Sequence, residues 1–321
     1  MKIAVLGSGA FGTALAISLS HVGKDVTLWG RDAQAIDEMK QKRVNRRYLP
    51  KAILPKNLHV TSDSDHALAA ETLLFAVPMQ QLATIVQHYS PQLSGKNVIA
   101  CCKGLDIKTG VGPTALIEKH AEGSRAGILS GPSFARDLGT HLPTALTLSC
   151  RDQAVGRLLQ NALSSHILRL YTNEDMIGVE LGGALKNVVA IGSGICIGAG
   201  LGHSARAALM TRGFRDMCKV ATELGAKIET LTGLSGLGDL SLTCMSNLSR
   251  NFRYGEALGQ GNDFDAHITV EGVSTAEALQ HHEALKHLEM PIFRAVANVA
   301  HGRCTIKEAT KVLMTRPQGE E

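Results

Sequence analysis

The hexapeptide Gly7-Ser8-Gly9-Ala10-Phe11-Gly12 follows the apolar run Lys2–Leu6 and leads into a helical pattern over Gly12–Val22. Three glycines at this spacing, set between a strand and a helix, narrow the choice of fold sharply. Gly7 permits a tight turn, Gly9 lets the backbone come close to a pyrophosphate, and Gly12 lets the helix pack closely on the strand. The pyrophosphate then rests on the helix N-terminus, where unpaired N–H groups and the helix dipole favour negative charge. The string therefore predicts a dinucleotide-binding unit at the start of the chain.

Further apolar runs follow at Asp25–Trp29, Thr72–Val77, Asn97–Cys101, Gly127–Leu129, Thr144–Leu148 and His166–Leu170. They are continuous rather than alternating, which fits parallel strands covered on both faces. Their alternation with helical segments implies a doubly wound sheet. After about Thr172 strand signals cease. Helices are expected at Gly178–Ile197, Ala205–Leu224, Phe252–Leu258, Thr275–His287, Pro291–Ala300 and Thr305–Met314, with a glycine-rich turn near 232–238 and a loose tail at Pro317–Glu321. The expected architecture is α/β: a Rossmann-type doubly wound sheet over residues 1–178, followed by an all-α domain over 179–321. A length of 321 residues accords with two domains.

Composition removes several alternatives. Aromatics make up only 4% of the chain, too few for a stacking platform for single-stranded nucleic acid. A net charge of +4 is mild for a general polyanion binder but suits small phosphorylated ligands. The basic run Lys40–Arg47 is short and reads as a solvated face, or as a rim that draws in an anionic cofactor. Nucleic acid is therefore not an expected partner. The seven cysteines form no C-x-x-C pair and read as reduced packing residues, which implies the cytoplasm. The first apolar run is too short for a signal-peptide core. The apolar stretch Ile177–Gly202 has the length of a membrane span, but it carries Glu180, Lys186, Asn187 and many glycines. It reads as a buried core helix, without stable membrane insertion. His282 and His287 are spaced i, i+5, which does not match the helical zinc motif, and no metal is called for.

Candidate chemistry gathers at a few positions. At the end of the second strand, Arg31 precedes Asp32. An arginine there accepts the 2′-phosphate of NADP, whereas an acid holds the ribose of NAD; NADPH is favoured, with NAD left open. Lys186 is the one charged side chain between Leu181 and Gly202. A buried ammonium must find a partner or deprotonate, and a lysine so tuned is a general acid or base; the competing reading is a lysine that snorkels to the surface. Asp239 is a partner for it. Lys103 follows the strand Asn97–Cys101, at the sheet end where ligands meet α/β folds. Ser249-Arg250-Asn251 joins a guanidinium, suited to phosphate capture, to two hydrogen-bonding side chains.

Taken in order, these segments resemble the bacterial-type NAD(P)-dependent glycerol-3-phosphate dehydrogenases. The resemblance rests on Gly7–Gly12 with Thr13-Ala14-Leu15-Ala16, Leu28-Trp29-Gly30-Arg31, Lys103-Gly104-Leu105 and Gly131-Pro132-Ser133-Phe134-Ala135. It continues through Gly182-Gly183-Ala184-Leu185-Lys186-Asn187, Gly236-Leu237-Gly238-Asp239-Leu240, Ser249-Arg250-Asn251 and Val270-Glu271-Gly272. It implies hydride transfer between a nicotinamide and C2 of glycerol 3-phosphate, interconverting it with dihydroxyacetone phosphate and supplying the glycerol backbone of phospholipids. Lys186 matches the proton donor and acceptor, with Lys103 and Asp239 tuning it in opposite directions. Lys103, Gly131, Ser133, Lys186, Asp239, Ser249, Arg250 and Asn251 match substrate positions. Ala10, Phe11, Arg31, Lys103, Ala135, Arg250, Thr269 and Glu271 align with cofactor contacts.

Two positions depart from the family pattern. Phe11 stands where Trp or Tyr is usual, which removes a polar handle, and Leu248 replaces a polar residue before Ser249. A homodimer is expected. Two other readings remain at this point: a different NADP-dependent hydroxy-acid dehydrogenase of the same architecture, or a non-catalytic NADP(H)-sensing protein. The first would want a carboxylate-binding arginine and would not be expected to present Gly238-Asp239-Leu240 and Ser249-Arg250-Asn251 in this order, and the second need not keep Lys186, Asp239 and Arg250 together.

Overall fold

The computed structural model describes residues 1–315; the expected tail at Pro317–Glu321 lies outside the described residues. Two compact units divide the chain. The first comprises Met1–Lys103 and Val111–Glu180, and the second comprises Gly104–Gly110 and the chain from Leu181 onward.

The first unit opens with β1 (Ile3–Leu6), α1 (Ala10–His21), β2 (Val26–Trp29) and α2 (Ala33–Lys42). A short ribbon follows, β3 (Val44–Asn45) with β4 (Leu49–Ile53), then β5 (His59–Thr61), α3 (Ser64–Leu68), β6 (Thr72–Phe75) and α4 (Met79–Leu93). The remainder is β7 (Asn97–Ala100), α5 (Pro113–His120), β8 (Arg125–Ser130), α6 (Ala135–Gly139), β9 (Thr144–Cys150), α7 (Gln153–Leu163) and β10 (Leu168–Asn173). Eight strands form one sheet in the order β10-β9-β8-β7-β6-β1-β2-β5. The strand order reverses at β1, which pairs in parallel with both β2 and β6. The turn after β1 therefore stands at the carboxyl edge of the sheet at its switch point, where α/β folds bind ligands.

The continuous apolar strands have a plain cause. Ile3 and Val5 pack into one core, with Leu15, Ile17 and Ile36, while Ala4 and Leu6 pack into the opposite one, with Leu82, Val86 and Ile117. Successive side chains point to opposite faces, so a strand buried on both faces has no polar side to show.

Two expectations need correction. The sheet is not wholly parallel: β9 runs antiparallel to β8, and β10 pairs in parallel with β9. Only Gly131–Pro143 joins β8 to β9, and α6 is five residues long. At about 1.5 Å per residue such a helix spans about 8 Å, less than half the six-residue β8 at about 3.3 Å per residue. The connection is near the shortest that a parallel crossover uses, and the chain returns antiparallel instead. The basic run Lys40–Arg47 is also not one solvated face. It passes from α2 into β3, with Arg43 in the left-handed region and Asn45 buried.

The second unit is helical: α8 (Met176–Gly198), α9 (Gly202–Glu223), α10 (Ile228–Leu231), α11 (Asp239–Cys244), α12 (Arg250–Gln260), α13 (Glu271–His281), α14 (Pro291–Ala300) and α15 (Ile306–Met314). The first turns of α8, to Glu180, belong to the first unit. The glycine-rich turn is a widened helical turn over Leu234–Gly238. The helix expected over Thr275–His287 ends at His281, and Glu283–Leu285 forms a separate tight turn, because His282 is extended.

α8 is apolar enough to cross a membrane, yet 89% of its apolar window is buried inside the protein. Its glycines are notches: side chains at Gly194 and Gly198 would overlap the backbone of α12, and those at Gly255 and Gly259 the backbone of α8. Asp216 on α9 accepts from the N–H groups of Ile292 and Phe293, at 2.8 and 3.4 Å, and so anchors the start of α14. Burial pushes its carboxyl up to about 6.

Candidate active site

The turn after β1 is built to leave space. Gly7 has φ +118°, and a side chain there would overlap the Ala76 carbonyl; one at Gly12 would overlap the Gly7 carbonyl. A side chain at Gly9, by contrast, would stand in open space. Gly9 caps α1 without any side-chain hydrogen bond to the first-turn N–H groups. Uncapped donors beside an empty backbone cradle fit a dinucleotide pyrophosphate. Ala10 and Phe11 open α1, and Phe11 is half-buried against the first-unit core.

At the end of β2, Asp32 is occupied: its carboxylate caps α2 by accepting from the Ala35 N–H at 3.1 Å. Arg31 beside it is exposed, and its side chain has no partner among the described residues. That division of labour leaves a guanidinium, not a carboxylate, available at the end of β2. At the carboxyl end of β7, Lys103 Nζ donates to the Gly131 carbonyl, just past β8, at 3.0 Å, and Ser133 Oγ lies 3.4 Å from the same oxygen. Lys103, Gly131 and Ser133 thus form one cluster. Ala135, the first residue of α6, packs against the core that also holds α1.

In the second unit, Lys186 does not snorkel. Its Nζ is 3.1 Å from Asp239 Oδ1, with side-chain exposures of 7% and 2%. It also donates to Thr243 Oγ1 at 2.5 Å, and the Thr243 hydroxyl donates to Asp239 Oδ1 at 3.2 Å. The Asp239 carboxylate favours the ammonium form of Lys186, whereas burial opposes it. Beside this set lies Cys244, whose thiol burial pushes up to about 12.

Ser249-Arg250-Asn251 opens α12. Ser249 Oγ is the N-cap, accepting from the Phe252 N–H at 3.1 Å, and Arg250 is exposed at the first helical position. The Asn251 side chain is engaged within the protein. Its Nδ2 donates to Asn187 Oδ1 at 2.9 Å, and its Oδ1 accepts from the Gly272 N–H at 2.9 Å. The network links α8, α12 and the start of α13, where Thr269 is exposed and Glu271 half-buried.

Comparison with known proteins separates the readings that geometry leaves open. A family model described as NAD-dependent glycerol-3-phosphate dehydrogenase N-terminus matches residues 2–156, and the corresponding C-terminus model matches residues 175–311. The chain belongs to the NAD-dependent glycerol-3-phosphate dehydrogenase family. The glycerol-3-phosphate dehydrogenase [NAD(P)+] of Ruegeria sp. (strain TM1040) is 50% identical over 321 residues, covering all of both chains. That of Cereibacter sphaeroides is 50% identical over 322 residues, covering 99% of this chain and 100% of the relative. The crystal structure of the Coxiella burnetii glycerol-3-phosphate dehydrogenase superposes with a TM-score of 0.92 at 36% identity, over 98% of this chain and 99% of that one.

Four residues escaped the family resemblance as site residues, and each carries a local bond. Thr243 sits one helical turn from Asp239, so its hydroxyl reaches the same carboxylate, a spacing visible in the sequence. Asn187 follows Lys186 and receives Asn251. Glu180, in the first unit, accepts from the Thr114 N–H at 2.5 Å and fills the space over Gly112 at the start of α5. Burial pushes its carboxyl up to about 7. Asn45 is the fourth.

Proposed function

We propose that this chain is an oxidoreductase interconverting sn-glycerol 3-phosphate and dihydroxyacetone phosphate with NAD(P)(H). The buried ion pair of Lys186 and Asp239, in a chain of this family, is the observation that carries the reading. Residues 1–178 form the dinucleotide-binding domain and residues 179–321 the helical domain that carries Lys186, and each lends some contacts to the other's ligand. The turn Gly7–Gly12 holds the pyrophosphate and Arg31 the 2′-phosphate, so NADPH is the preferred cofactor. Ala10, Phe11, Lys103, Ala135, Arg250, Thr269 and Glu271 complete its contacts. When bound, the nicotinamide supplies or accepts the hydride.

The chain's own residues handle the proton and the phosphate. In the reducing direction Lys186, as the ammonium, gives a proton to the oxygen of the substrate carbonyl, help worth about 10²–10⁴ in rate. Asp239 holds that ammonium charged, and Thr243 fixes the direction of its N–H bonds. Arg250 anchors the phosphate at the N-terminus of α12, which Ser249 caps and Asn251 ties to Asn187 and Gly272, so that helix dipole and guanidinium act together. Lys103, Gly131 and Ser133 complete the substrate contacts. Phosphate binding remote from the carbonyl orients the reacting carbon. We assign the protein to the cytoplasm as a homodimer without membrane insertion or nucleic-acid partner. Its product is the glycerol phosphate used for phospholipid synthesis.

The test is the fall in reduced-nicotinamide absorbance with dihydroxyacetone phosphate or unphosphorylated dihydroxyacetone, using NADPH and NADH in turn. Rapid oxidation with the phosphate ester alone supports the assignment. Tight NADPH binding with no oxidation by either ketone overturns it in favour of a sensor.

A further inference from the structure

The basic run Lys40–Arg47 has no place in the chemistry above, yet one of its residues points inward. Asn45, on β3, is 3% exposed, whereas Arg46 and Arg47 beside it face solvent. Its Nδ2 donates to the Ser8 carbonyl at 2.8 Å and to Thr13 Oγ1 at 2.8 Å. Its Oδ1 accepts from the Tyr48 N–H at 3.2 Å, so the loop between β3 and β4 fixes which way the amide faces. Thr13 Oγ1 in turn donates to the Ser8 carbonyl at 3.3 Å. Two side chains, one from the start of α1 and one from a ribbon far along the chain, converge on a single peptide oxygen.

That oxygen belongs to the Ser8–Gly9 peptide, in the middle of the dinucleotide turn. A trans peptide is planar, with its C=O and N–H pointing to opposite sides. Holding the Ser8 carbonyl on Asn45 therefore turns the Gly9 N–H the other way. The Gly9 N–H has no acceptor among the described residues, and the space at Gly9 is open. We infer that Asn45 is a positioning residue for cofactor binding, locking the Ser8–Gly9 peptide plane so that the Gly9 N–H is presented to the dinucleotide pyrophosphate. The inference rests on the dinucleotide reading proposed above. An amide is the side chain for this place. It donates two hydrogen bonds through one nitrogen while its oxygen accepts a third, which neither a carboxylate nor a hydroxyl can do.

The test compares wild type with Asn45→Ala, Asn45→Asp and Thr13→Val, using NADPH and adenosine 2′-monophosphate, which lacks the pyrophosphate. For the Asn45 variants, Kd and KM for NADPH should rise about 10- to 100-fold, because the Ser8 carbonyl then keeps only the longer Thr13 bond and the Ser8–Gly9 plane is no longer fixed. Their kcat at saturating NADPH should stay within about threefold of wild type, as should the Kd for adenosine 2′-monophosphate. Thr13→Val, which keeps the Asn45 bond to Ser8, should lose about threefold for NADPH alone and serves if the Asn45 variants do not fold. Equal losses for both ligands, or unchanged NADPH affinity in a folded Asn45 variant, overturn the inference. Wild-type protein that binds no NADPH overturns the dinucleotide reading itself, a result seen before any variant is made.

Discussion

Lys186 and Asp239, fifty-three positions apart on α8 and α11, meet at 3.1 Å with both side chains almost wholly removed from solvent. An ammonium in that setting has the Asp239 carboxylate and the Thr243 hydroxyl beside it. Lys186→Ala should therefore lower kcat by about 10²–10⁴ while leaving the NADPH Kd within about threefold. Asp239→Asn should act differently. Without the opposite charge the ammonium is lost at lower pH, so the alkaline limb of the rate profile for ketone reduction should move to lower pH. A limb that stays in place would show that Asp239 does not control the lysine.

Arg250 and Arg31 should separate by ligand. Arg250→Ala should raise KM for dihydroxyacetone phosphate about 10- to 100-fold through the lost charge-assisted bonds, with a much smaller change for cofactor. Arg31→Ala should raise KM for NADPH about tenfold and leave that for NADH unchanged. Steady-state kinetics with each ligand varied in turn checks both.

Glu180 should make stability depend on pH. Its folded carboxyl is held near 7 by burial, above its ordinary 4.5. The folded state thus binds the proton more tightly, and this contribution is full below about 4.5 and lost as pH rises through 7. Glu180→Gln still offers an oxygen to Thr114 but does not titrate. Relative to wild type it should gain on the order of 1–3 kcal/mol between pH 5 and pH 8. Urea midpoints at the two values, unchanged in difference, would contradict this.

Not all helix glycines should respond alike to alanine. Gly194→Ala and Gly255→Ala press a methyl into the facing backbone, at Phe252 and Ile191, and should cost about 1–3 kcal/mol or more. Gly156, in α7, has only Cys150 Cβ near, at 3.8 Å, and its alanine variant should gain about 0.4–1 kcal/mol. Chemical denaturation ranks the three.

The thiols should be quiet. Burial pushes Cys101 and Cys244 up to about 12 and Cys150 up to about 11, so almost no thiolate exists at pH 8. A thiol reagent should label Cys218 or Cys304, both half-buried, before any of these. Early labelling of Cys244, next to the Lys186 pair, would contradict the packing described.

Much of this was legible in the sequence because each signal had a local cause. The turn Gly7–Gly12 declares itself through backbone geometry, and Lys186 through the cost of burying charge among Gly, Ala, Val and Ile. What stayed hidden depends on partners distant in the chain. β9 reads as one more buried strand, and nothing in its own apolar run marks the antiparallel pairing with β8. Asn45 looks like one polar residue in a cationic run until the fold brings Ser8 to it. The commitment of Asn251 to Asn187 and Gly272 likewise needs three helices assembled.

The glycine notches between α8 and α12 also set a timetable for synthesis. α12 begins at Arg250, fifty-two positions after α8 ends at Gly198, so at about 5–20 residues per second its notch partner follows some 3–10 s later. During that interval a helix greasy enough for a bilayer lacks the surface cut to receive it. The seam between α8 and α12 therefore cannot close until at least fifty-two further residues have been added.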